Sequence, residues 1–189
     1  MRIISGDKKG TILQAPTGEA TRPTLGRIRE SVFGTLSQII PDAHIVDLFA
    51  GSGSLGLEAL SRGALQCTFV ENSPAALTAL RANIEKLRYG NVSTIISSDA
   101  VQACTTINFA GQTPVIFCDP PYGRGLAQSS LTALEQNCTL PVGSVVMIQC
   151  GSRDELQPGE GSMLQLFRTK TYRETAVYYF EAQPAPSEA

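Results

Sequence analysis

Short apolar segments that alternate with helical ones constrain the fold of this chain more than any other sequence feature. The apolar segments predict five strands, at residues 44–49, 66–71, 92–97, 114–119 and 144–150. The segments between them predict helices at about 53–62, 73–88, 100–107 and 126–137. Because strands that alternate with helices form right-handed βαβ units, we expect a parallel sheet with helices on both faces.

The segment before the first strand departs from this alternation. Residues 1–20 contain two short apolar runs punctuated by glycines and Pro16, which predict a small β-hairpin arm. A helix is predicted from about 25 to 39, with Thr24 as its N-cap and Pro41 beyond its end.

The helical period also fades after Cys150. Residues 162–168 and 175–181 predict two strands of an antiparallel hairpin that closes the sheet. The tail at 182–189 is predicted to be disordered. We therefore expect an N-terminal arm, one α/β domain at 21–181, and this tail.

Composition excludes several classes of protein. With 189 residues, of which 42% are apolar, the chain is long enough for one packed domain. No apolar run approaches the roughly 18 residues of a membrane span. Because charged residues follow the first apolar positions, we expect no signal peptide. We expect a cytoplasmic protein that is a monomer and does not associate with membranes.

The cysteines and the single histidine do not form a metal-binding pattern. The five cysteines are odd in number and scattered, and His44 has no ligand partner near it in the sequence. We expect reduced, buried cysteines and no metal site.

Charge is distributed unevenly along the chain. Residues 1–30 carry six Lys or Arg against three Asp or Glu, whereas the whole chain has a net charge of −2. A basic N-terminal segment on an acidic body is typical of contact with a polyanion, although a solvated N-terminal face gives the same pattern.

A glycine-rich segment follows the first predicted strand. The sequence DLFAGSGSLG runs from Asp47 to Gly56 and contains Gly51, Gly53 and Gly56 in the spacing G-x-G-x-x-G. Such a turn between a strand and a helix brings backbone N–H groups close to a ligand. Glu71 lies twenty residues after Gly51, where a carboxylate can accept hydrogen bonds from ribose hydroxyls. The spacing predicts a nucleoside-containing cofactor, either NAD or S-adenosylmethionine.

Two further residues have both a cofactor-binding and a structural interpretation. The ring of Phe49 either flanks the cofactor or belongs to the core. Asp99, after the third predicted strand, either accepts a hydrogen bond from an adenine amino group or caps the helix that follows.

The sequence Asp119-Pro120-Pro121-Tyr122, here called the DPPY segment, follows the fourth predicted strand. Two successive prolines fix the backbone, remove two N–H donors and hold Asp119 extended. We expect the Asp119 carboxylate and a neighbouring carbonyl, that of Pro120, to accept both hydrogens of an exocyclic amino group. The ring of Tyr122 would stack on the planar base that carries this group. A structural turn with a capping Asp119 is the alternative.

These motifs resemble those of Rossmann-like S-adenosylmethionine-dependent amino-methyltransferases. More narrowly, RIISGDKKG at 2–10, TRPTLGRIRESVF at 21–33 and LGLEALSRGA at 55–64 are similar to the bacterial 16S rRNA guanine-N2 methyltransferase family. The resemblance implies a seven-stranded sheet of order 3-2-1-4-5-7-6 and methylation of a guanine N2. The implied partner is 16S rRNA within the small ribosomal subunit or its assembly intermediate.

The resemblance also implies roles for residues in the two motifs. Ala50, Gly51, Ser52 and Gly53 would contact the methionine end of the cofactor, Glu71 its ribose and Asp99 its adenine. Asp47 and Phe49 are further candidates for cofactor binding in the glycine-rich segment. The target guanine would be held by the catalytic residues Asp119, Pro120, Pro121 and Tyr122.

Basic residues near the N-terminus are implied to contact RNA. The family's basic stretch corresponds here to Arg22, Thr24, Arg27 and Arg29, which the resemblance places near RNA phosphates. Further candidates for contact with the RNA backbone are Lys8, Lys9 and Arg124. One departure from the family's pattern is Gln149, where the fifth strand more often carries Glu.

Other interpretations remain open. The chain is alternatively an amino-methyltransferase of another RNA or of DNA, an NAD-dependent dehydrogenase, or an inactive RNA-binding module on the same fold. DNA enzymes usually need a separate target-recognition domain and a dehydrogenase needs a substrate domain, and we expect neither within these 189 residues. The intact DPPY and glycine-rich segments argue against an inactive module.

Overall fold

The computed structural model describes residues 1–16, 23–109, 111–137 and 139–184. Arg22, Cys138, the end of the predicted arm and the last residues of the predicted tail lie outside this part of the chain. Five α-helices are described: α1 (Pro23–Thr35), α2 (Ser54–Ser61), α3 (Pro74–Leu87), α4 (Ala100–Thr106) and α5 (Leu126–Glu135).

The described strands form one seven-stranded sheet. They are β1 (His44–Leu48), β2 (Gln66–Val70), β3 (Ser93–Ile96), β4 (Pro114–Cys118), β5 (Val145–Gly151), β6 (Leu164–Tyr172) and β7 (Thr175–Ala182). Their order is β3-β2-β1-β4-β5-β7-β6. This order confirms the predicted fold class, a Rossmann-like α/β sheet closed by a hairpin.

The chain forms two compact units, Met1–Ser98 and Asp99–Ala189. In the first unit, β2 pairs in parallel with both β1 and β3. In the second unit, β4 pairs in parallel with β5, and β7 pairs antiparallel with both β5 and β6. β1 and β4 are almost wholly buried, as expected for central strands that are covered on both faces.

The predicted start of α3 is confirmed. Ser73 is its N-cap and accepts a hydrogen bond from the N–H of Ala76, and Pro74 occupies the first helical position. The prediction for α1 was wrong at both ends. The helix begins at Pro23, because proline suits a first helical position, so Thr24 lies inside it and is not the N-cap.

The C-terminal end of α1 comes four residues earlier than predicted, at Thr35. The hydroxyl of Thr35 donates to the carbonyl of Ser31, and that of Ser37 donates to the carbonyl of Gly34. These side-chain hydrogen bonds compete with the helical backbone pattern, and Gly34 adds the poor helix propensity of glycine. Residues 36–40 consequently form turns.

Within residues 1–16, the N-terminal arm is a short hairpin in which Arg2 and Ile12 form an antiparallel bridge. The N–H groups of Ile3 and Leu13 donate to the carbonyls of Thr11 and Met1 on either side of this bridge, at 2.9 and 2.8 Å. Its Ile3 side chain is buried, and the backbone N–H groups of Ile4 and Ser5 donate to the carboxylate of Glu58 on α2, at 2.7 and 3.0 Å. Glu58 is fully buried and also accepts from Arg62. The arm is therefore fastened to the first unit by hydrogen bonds to a buried carboxylate.

The four described cysteines are buried. Burial raises the pKa of the Cys104 and Cys150 thiols to about 12, so they behave as core side chains at neutral pH. Within the described ranges, no three His, Cys, Asp or Glu side chains are grouped so as to hold a metal ion. None of the helices in that part of the chain is both long and apolar enough to span a bilayer.

Candidate functional site

The glycine-rich loop, residues 49–53, turns the chain from β1 into α2 through left-handed backbone conformations. Gly51 and Gly53 have φ angles of +56° and +84°. Phe49 also has a positive φ, +59°, which costs a residue with a side chain about 1–2 kcal/mol. A left-handed bulky residue persists only where its surroundings impose the conformation, and such residues concentrate at ligand-binding sites.

Glu71, just beyond β2, holds this loop. Its carboxylate accepts hydrogen bonds from the backbone N–H groups of Gly51 at 2.8 Å, Asn72 at 2.9 Å and Ser73 at 2.7 Å. A carboxylate has about four acceptor positions, so at least one remains for a further donor. Glu71 can thus shape the loop and accept a hydroxyl of a bound nucleoside.

Asp47 and Gly56 set the path of the chain into α2. Asp47 is buried, and its carboxylate accepts a hydrogen bond from the N–H of Gly56 at 2.8 Å. A Cβ on Gly56 would lie 2.4 Å from the ring of Phe69 and 2.5 Å from the sulfur of Cys67, so only glycine allows α2 to pack this closely on β2. The structure places Asp47 behind the loop, as its support.

Asn83 on α3 also supports the loop, and sequence reasoning missed it. Its amide donates to the carbonyls of Ser52 and Gln14, both at 2.9 Å, and accepts from the N–H of Gln14 at 2.8 Å. The side chain is fully buried. The available signal was one amide on the otherwise apolar face of α3 that includes Leu80, Ile84 and Leu87.

Asp99 is the N-cap of α4, in the second unit. Its carboxylate accepts a hydrogen bond from the N–H of Gln102 at 3.0 Å, which confirms the capping interpretation. The residue is exposed, and contact with an adenine amino group stays a prediction for it.

The DPPY segment follows β4 directly and places a half-buried carboxyl beside a buried proline. Asp119 is half-buried, Pro120 is buried, and Pro121 and Tyr122 are exposed. Burial raises the pKa of Asp119 to about 7. Near neutral pH this carboxyl therefore exchanges readily between its acid and carboxylate forms.

Tyr122 is fixed at its hydroxyl and open at its ring. The hydroxyl accepts a hydrogen bond from the Gln149 amide at 2.9 Å and lies 3.1 Å from the hydroxyl of Thr175. Its side chain is nevertheless 43% exposed. Burial is the main cause that raises the pKa of Tyr122, so the phenol is neutral at physiological pH.

Gln149 and Thr175 are therefore part of the site, although sequence reasoning did not select them for it. Both are buried, on β5 and at the start of β7. The signal for Gln149 was a single amide within the apolar strand VVMIQC. An amide nitrogen at this position donates to the tyrosine oxygen, which an ionised Glu cannot do.

A cavity of about 290 Å³ lies beside the DPPY segment. Residues 120–122 form one wall, the first turn of α5 forms another, and Cys150 and residues 153–156 complete the lining. The lining includes Pro120, Pro121 and Tyr122 of the DPPY segment but does not include Asp119.

The predicted RNA-contacting residues occupy different environments. Lys9, Arg27 and Arg124 are exposed. The ammonium of Lys8 pairs with Asp7 at 3.0 Å. Arg22 and the side chain of Thr24 lie outside the described part of the structure.

Arg29 differs from the other basic candidates because it is buried. It is 7% exposed, its guanidinium donates to the carbonyl of Arg2, and burial lowers its pKa. Its Nε and Nη1 have no hydrogen-bond partner among the described residues. The geometry gives Arg29 a structural role, holding the arm, in place of the predicted contact with RNA phosphate.

Comparison with known sequences finds one family profile over most of the chain and relatives that share one name. The sequence profile of a family described as Conserved hypothetical protein 95 matches residues 1–181. Ribosomal RNA small subunit methyltransferase D of Escherichia coli K12 is 36% identical over 189 residues, 97% of this chain and 91% of the relative. The protein of the same name from Haemophilus influenzae is 31% identical over 150 residues, 79% of this chain and 78% of the relative.

Solved structures agree with the sequence comparison. The Escherichia coli protein yhhF superposes with a TM-score of 0.84 at 32% identity, over 97% of this chain and 98% of that one. A Thermus thermophilus 16S rRNA N2 G1207 methyltransferase, solved with AdoMet and guanosine, has a TM-score of 0.64 at 20% identity, over 88% of this chain and 45% of that one. At that identity the second likeness shows the fold alone.

Proposed function

We infer the function of this chain from its family. The chain belongs to the family described as Conserved hypothetical protein 95, and its relatives include proteins named ribosomal RNA small subunit methyltransferase D. We propose that it transfers a methyl group from S-adenosylmethionine to the N2 amino group of a guanine in 16S rRNA of the small subunit. The observation that carries the proposal is the DPPY segment, where a carboxyl of raised pKa adjoins an anchored and exposed tyrosine ring.

The first unit offers residues that fit S-adenosylmethionine. Glu71 keeps an acceptor position for a ribose hydroxyl, and a Cβ added at Gly51 would meet no atom within 4 Å, so the loop surface there is open. Ala50, Ser52 and Gly53 complete the loop, and Asp99 is the candidate for the adenine amino group. When bound, S-adenosylmethionine supplies an electrophilic methyl group on a sulfonium sulfur.

The DPPY segment holds the nucleophile in this proposal. The Asp119 carboxylate and the Pro120 carbonyl accept the two hydrogens of the guanine amino group, which directs the nitrogen lone pair away from the ring. Tyr122 stacks on the base, and its hydroxyl is held by Gln149 and Thr175 so that the ring is preorganised. Catalysis then depends on orientation and on fixed acceptors.

The Asp119 carboxylate can also accept the proton that the methylated amino group loses. A methylated amino nitrogen must lose one proton, and a carboxyl with a pKa of about 7 can hold that proton and release it to water at neutral pH.

The choice of guanine rests on the family resemblance, and the choice of ribosomal RNA rests on the names of the relatives. Another RNA or DNA as the substrate, and an inactive RNA-binding module on the same fold, are the alternatives. They are separated by identifying the methylated nucleoside.

The test uses small ribosomal subunits from a strain that lacks this gene. The subunits are incubated with the purified protein and methyl-labelled S-adenosylmethionine, and the digested RNA is analysed by mass spectrometry. We expect label in N2-methylguanosine. Label in another amino-methylated nucleoside would support the methyl transfer but show that the substrate is not guanine. Cofactor binding without any labelled RNA would indicate a different polymer as the substrate or the inactive module.

Asp119→Ala provides the matching test of the residue. Because the variant loses an acceptor aimed at the reacting amino group, we expect kcat to fall by about 10² to 10³ or more. The affinity for S-adenosylhomocysteine should stay within about twofold by calorimetry. The control is Glu85→Ala, an exposed acidic residue on α3. Equal loss of turnover and cofactor binding would make Asp119 a structural residue.

A further inference from the structure

We propose that one face of the edge strand β6 binds the single-stranded RNA that flanks the target nucleotide. The face comprises Phe167, Arg168, Lys170 and Tyr172, and is called the β6 strip below. The inference rests on the proposed function, since it assumes an RNA substrate, and it adds a contact surface that is separate from the catalytic residues and from the basic N-terminal segment.

The β6 strip is connected to the DPPY segment through β7. The hydroxyl of Tyr122 lies 3.1 Å from that of Thr175, and Thr175 pairs directly with Tyr172 on β6. Directly paired residues of antiparallel strands project from the same face of a sheet. Tyr172 therefore lies on the face of the hairpin to which the catalytic tyrosine is anchored.

The same face continues along β6 away from that anchor. Side chains alternate between the two faces of a strand, so Lys170 and Arg168 project with Tyr172. Four residues of strand extend over roughly 13 Å, which is the length of about four stacked nucleotides. The strip thus offers a path for the chain of nucleotides that leads away from a base held by Tyr122.

The charge of the β6 strip suits a phosphate backbone. The strip contains the cations Arg168 and Lys170, and strand β6 contains no Asp or Glu, although the whole chain has a net charge of −2. Arg168 is exposed. An exposed cation on an extended strand can neutralise a phosphate of a nucleic acid that runs beside it.

Phe167 gives the β6 strip a surface for base stacking. Its side chain is 50% exposed and lies at a β-bulge between Leu166 and Arg168, where the register with β7 shifts. On its inner side, the ring of the buried Tyr179 lies 6.1 Å away, centroid to centroid. Phe167 is thus supported by one aromatic ring and exposed to solvent, which is the arrangement that base stacking on an aromatic side chain requires.

Protection of a sheet edge does not explain why the β6 strip has both cations and an exposed phenyl ring. Cations on an edge strand discourage pairing with other chains, but an exposed phenyl ring on the same edge favours such contacts. Bulges are enriched next to active sites, where they re-aim a side chain. A bulge that presents Phe167 beside Arg168 fits a nucleic acid better than it fits simple edge protection.

The experiment measures RNA affinity and its dependence on salt. The probe is a fluorescent single-stranded RNA of about 12 nucleotides with one central guanine, titrated between about 50 and 200 mM salt. The variants are Phe167→Leu, Phe167→Trp and Arg168→Ala. The control is Arg81→Ala, which removes an exposed arginine from α3. Thermal melting and binding of S-adenosylhomocysteine verify that each variant is folded.

We expect Phe167→Leu to raise the Kd for RNA about tenfold, because leucine cannot stack on a base. Phe167→Trp, which keeps an aromatic face, should bind within about twofold of the unmodified protein. Arg168→Ala should reduce the slope of log Kd against log salt by about 0.7, the value for one phosphate contact on a single strand. Arg81→Ala should change neither quantity.

Two results would overturn the inference. The first is RNA binding by Phe167→Leu and Arg168→Ala that equals that of the unmodified protein at every salt concentration. The second is a change of oligomeric state, seen by light scattering, in variants whose RNA affinity is unchanged, which would make β6 a contact between proteins.

The methylation assay on small subunits separates this inference from the proposed function. If the unmodified protein methylates guanine and the β6 variants keep its KM and Kd, the β6 inference fails and the function stands. If the unmodified protein methylates nothing while the β6 variants weaken RNA binding as expected, the proposed function fails and the RNA-binding strip stands.

Discussion

Asp119 and Tyr122 are neighbours in one short motif, yet their surroundings give them opposite properties. Asp119 is half-buried, and burial moves its pKa to about 7, whereas Tyr122 keeps a neutral hydroxyl that is held by two partners. The presence of a carboxyl and an aromatic ring can be read from the sequence. The orientation of Tyr122 depends on Gln149 and Thr175, which lie far along the chain, and the pKa of Asp119 depends on its burial.

The pKa of Asp119 predicts a pH dependence of activity. The carboxylate form accepts hydrogen bonds from the substrate amino group, whereas the acid form presents a proton to it. We therefore expect log kcat/KM for the RNA to rise with a slope of about one as pH increases toward about 7, and to level above it. A profile without a bend between about pH 6 and 8 would contradict this role for Asp119.

The same pKa predicts a pH-dependent cost in stability. The folded state holds the Asp119 proton up to about pH 7, whereas the unfolded chain releases it near pH 4. Raising the pH between these values therefore destabilises the fold, and Asp119→Asn removes this effect. We expect the variant to melt a few degrees higher than the unmodified protein above about pH 7, with the difference vanishing below about pH 4. A difference that does not vary with pH would indicate another cause.

At the scale of single elements, helix α1 places Arg27 and Arg29, which look equivalent in the sequence RIRE, in different environments. Arg27 and Arg29 are two positions apart, which on a helix with 100° per residue places them on different sides. Arg27 is exposed, whereas Arg29 is buried beside the arm and bonds to Arg2. Only Arg27 has the exposure that a phosphate contact requires.

Charge reversal at these two positions should therefore have different effects. Arg27→Glu should weaken RNA binding most at low salt and leave the melting temperature unchanged, because it alters only a surface charge. Arg29→Glu should lower the melting temperature by about 5 °C or more, since it places a second carboxylate near buried Glu58. Arg81→Glu on α3 is the surface control. Equal melting temperatures for both helix variants would show that Arg29 is not structural.

At the scale of the whole molecule, the family similarity covers residues 1–181, so it includes the arm, the sheet and the closing hairpin. The resemblance seen in the sequence is confirmed by relatives that align over nearly the full chain. The candidate cofactor residues lie in β1 and in the loops that follow β1 and β2, within the first compact unit, except for Asp99. The candidate base-binding residues lie in the second.

Binding of the cofactor product should stabilise the protein as a whole. A ligand that binds only the folded state at about a hundredfold excess over its Kd adds about 2.7 kcal/mol, which for a chain of this size raises the melting temperature by about 5–10 °C. We expect this shift with S-adenosylhomocysteine, measured by calorimetry, for the unmodified protein and for Asp119→Ala. Adenosine at the same concentration is the control. The absence of a shift in melting temperature at saturating S-adenosylhomocysteine would contradict the proposal that the protein uses S-adenosylmethionine.

From the sequence alone we predicted seven strands, their order through a family resemblance, and the two motifs that carry the chemistry. These features depend on neighbours in the chain: apolar periodicity, the conformational freedom of Gly51 and Gly53, and the rigidity of two successive prolines. The predicted end of the sixth strand at residue 168 was wrong, because β6 continues to Tyr172 in its pairing with β7. Tertiary structure alone decided that Arg29 is buried, that Asn83 supports the loop, that Gln149 and Thr175 anchor Tyr122, and that Asp119 has a raised pKa. Burial and hydrogen-bond partners come from residues distant in sequence, and a single sequence does not show which distant residues meet.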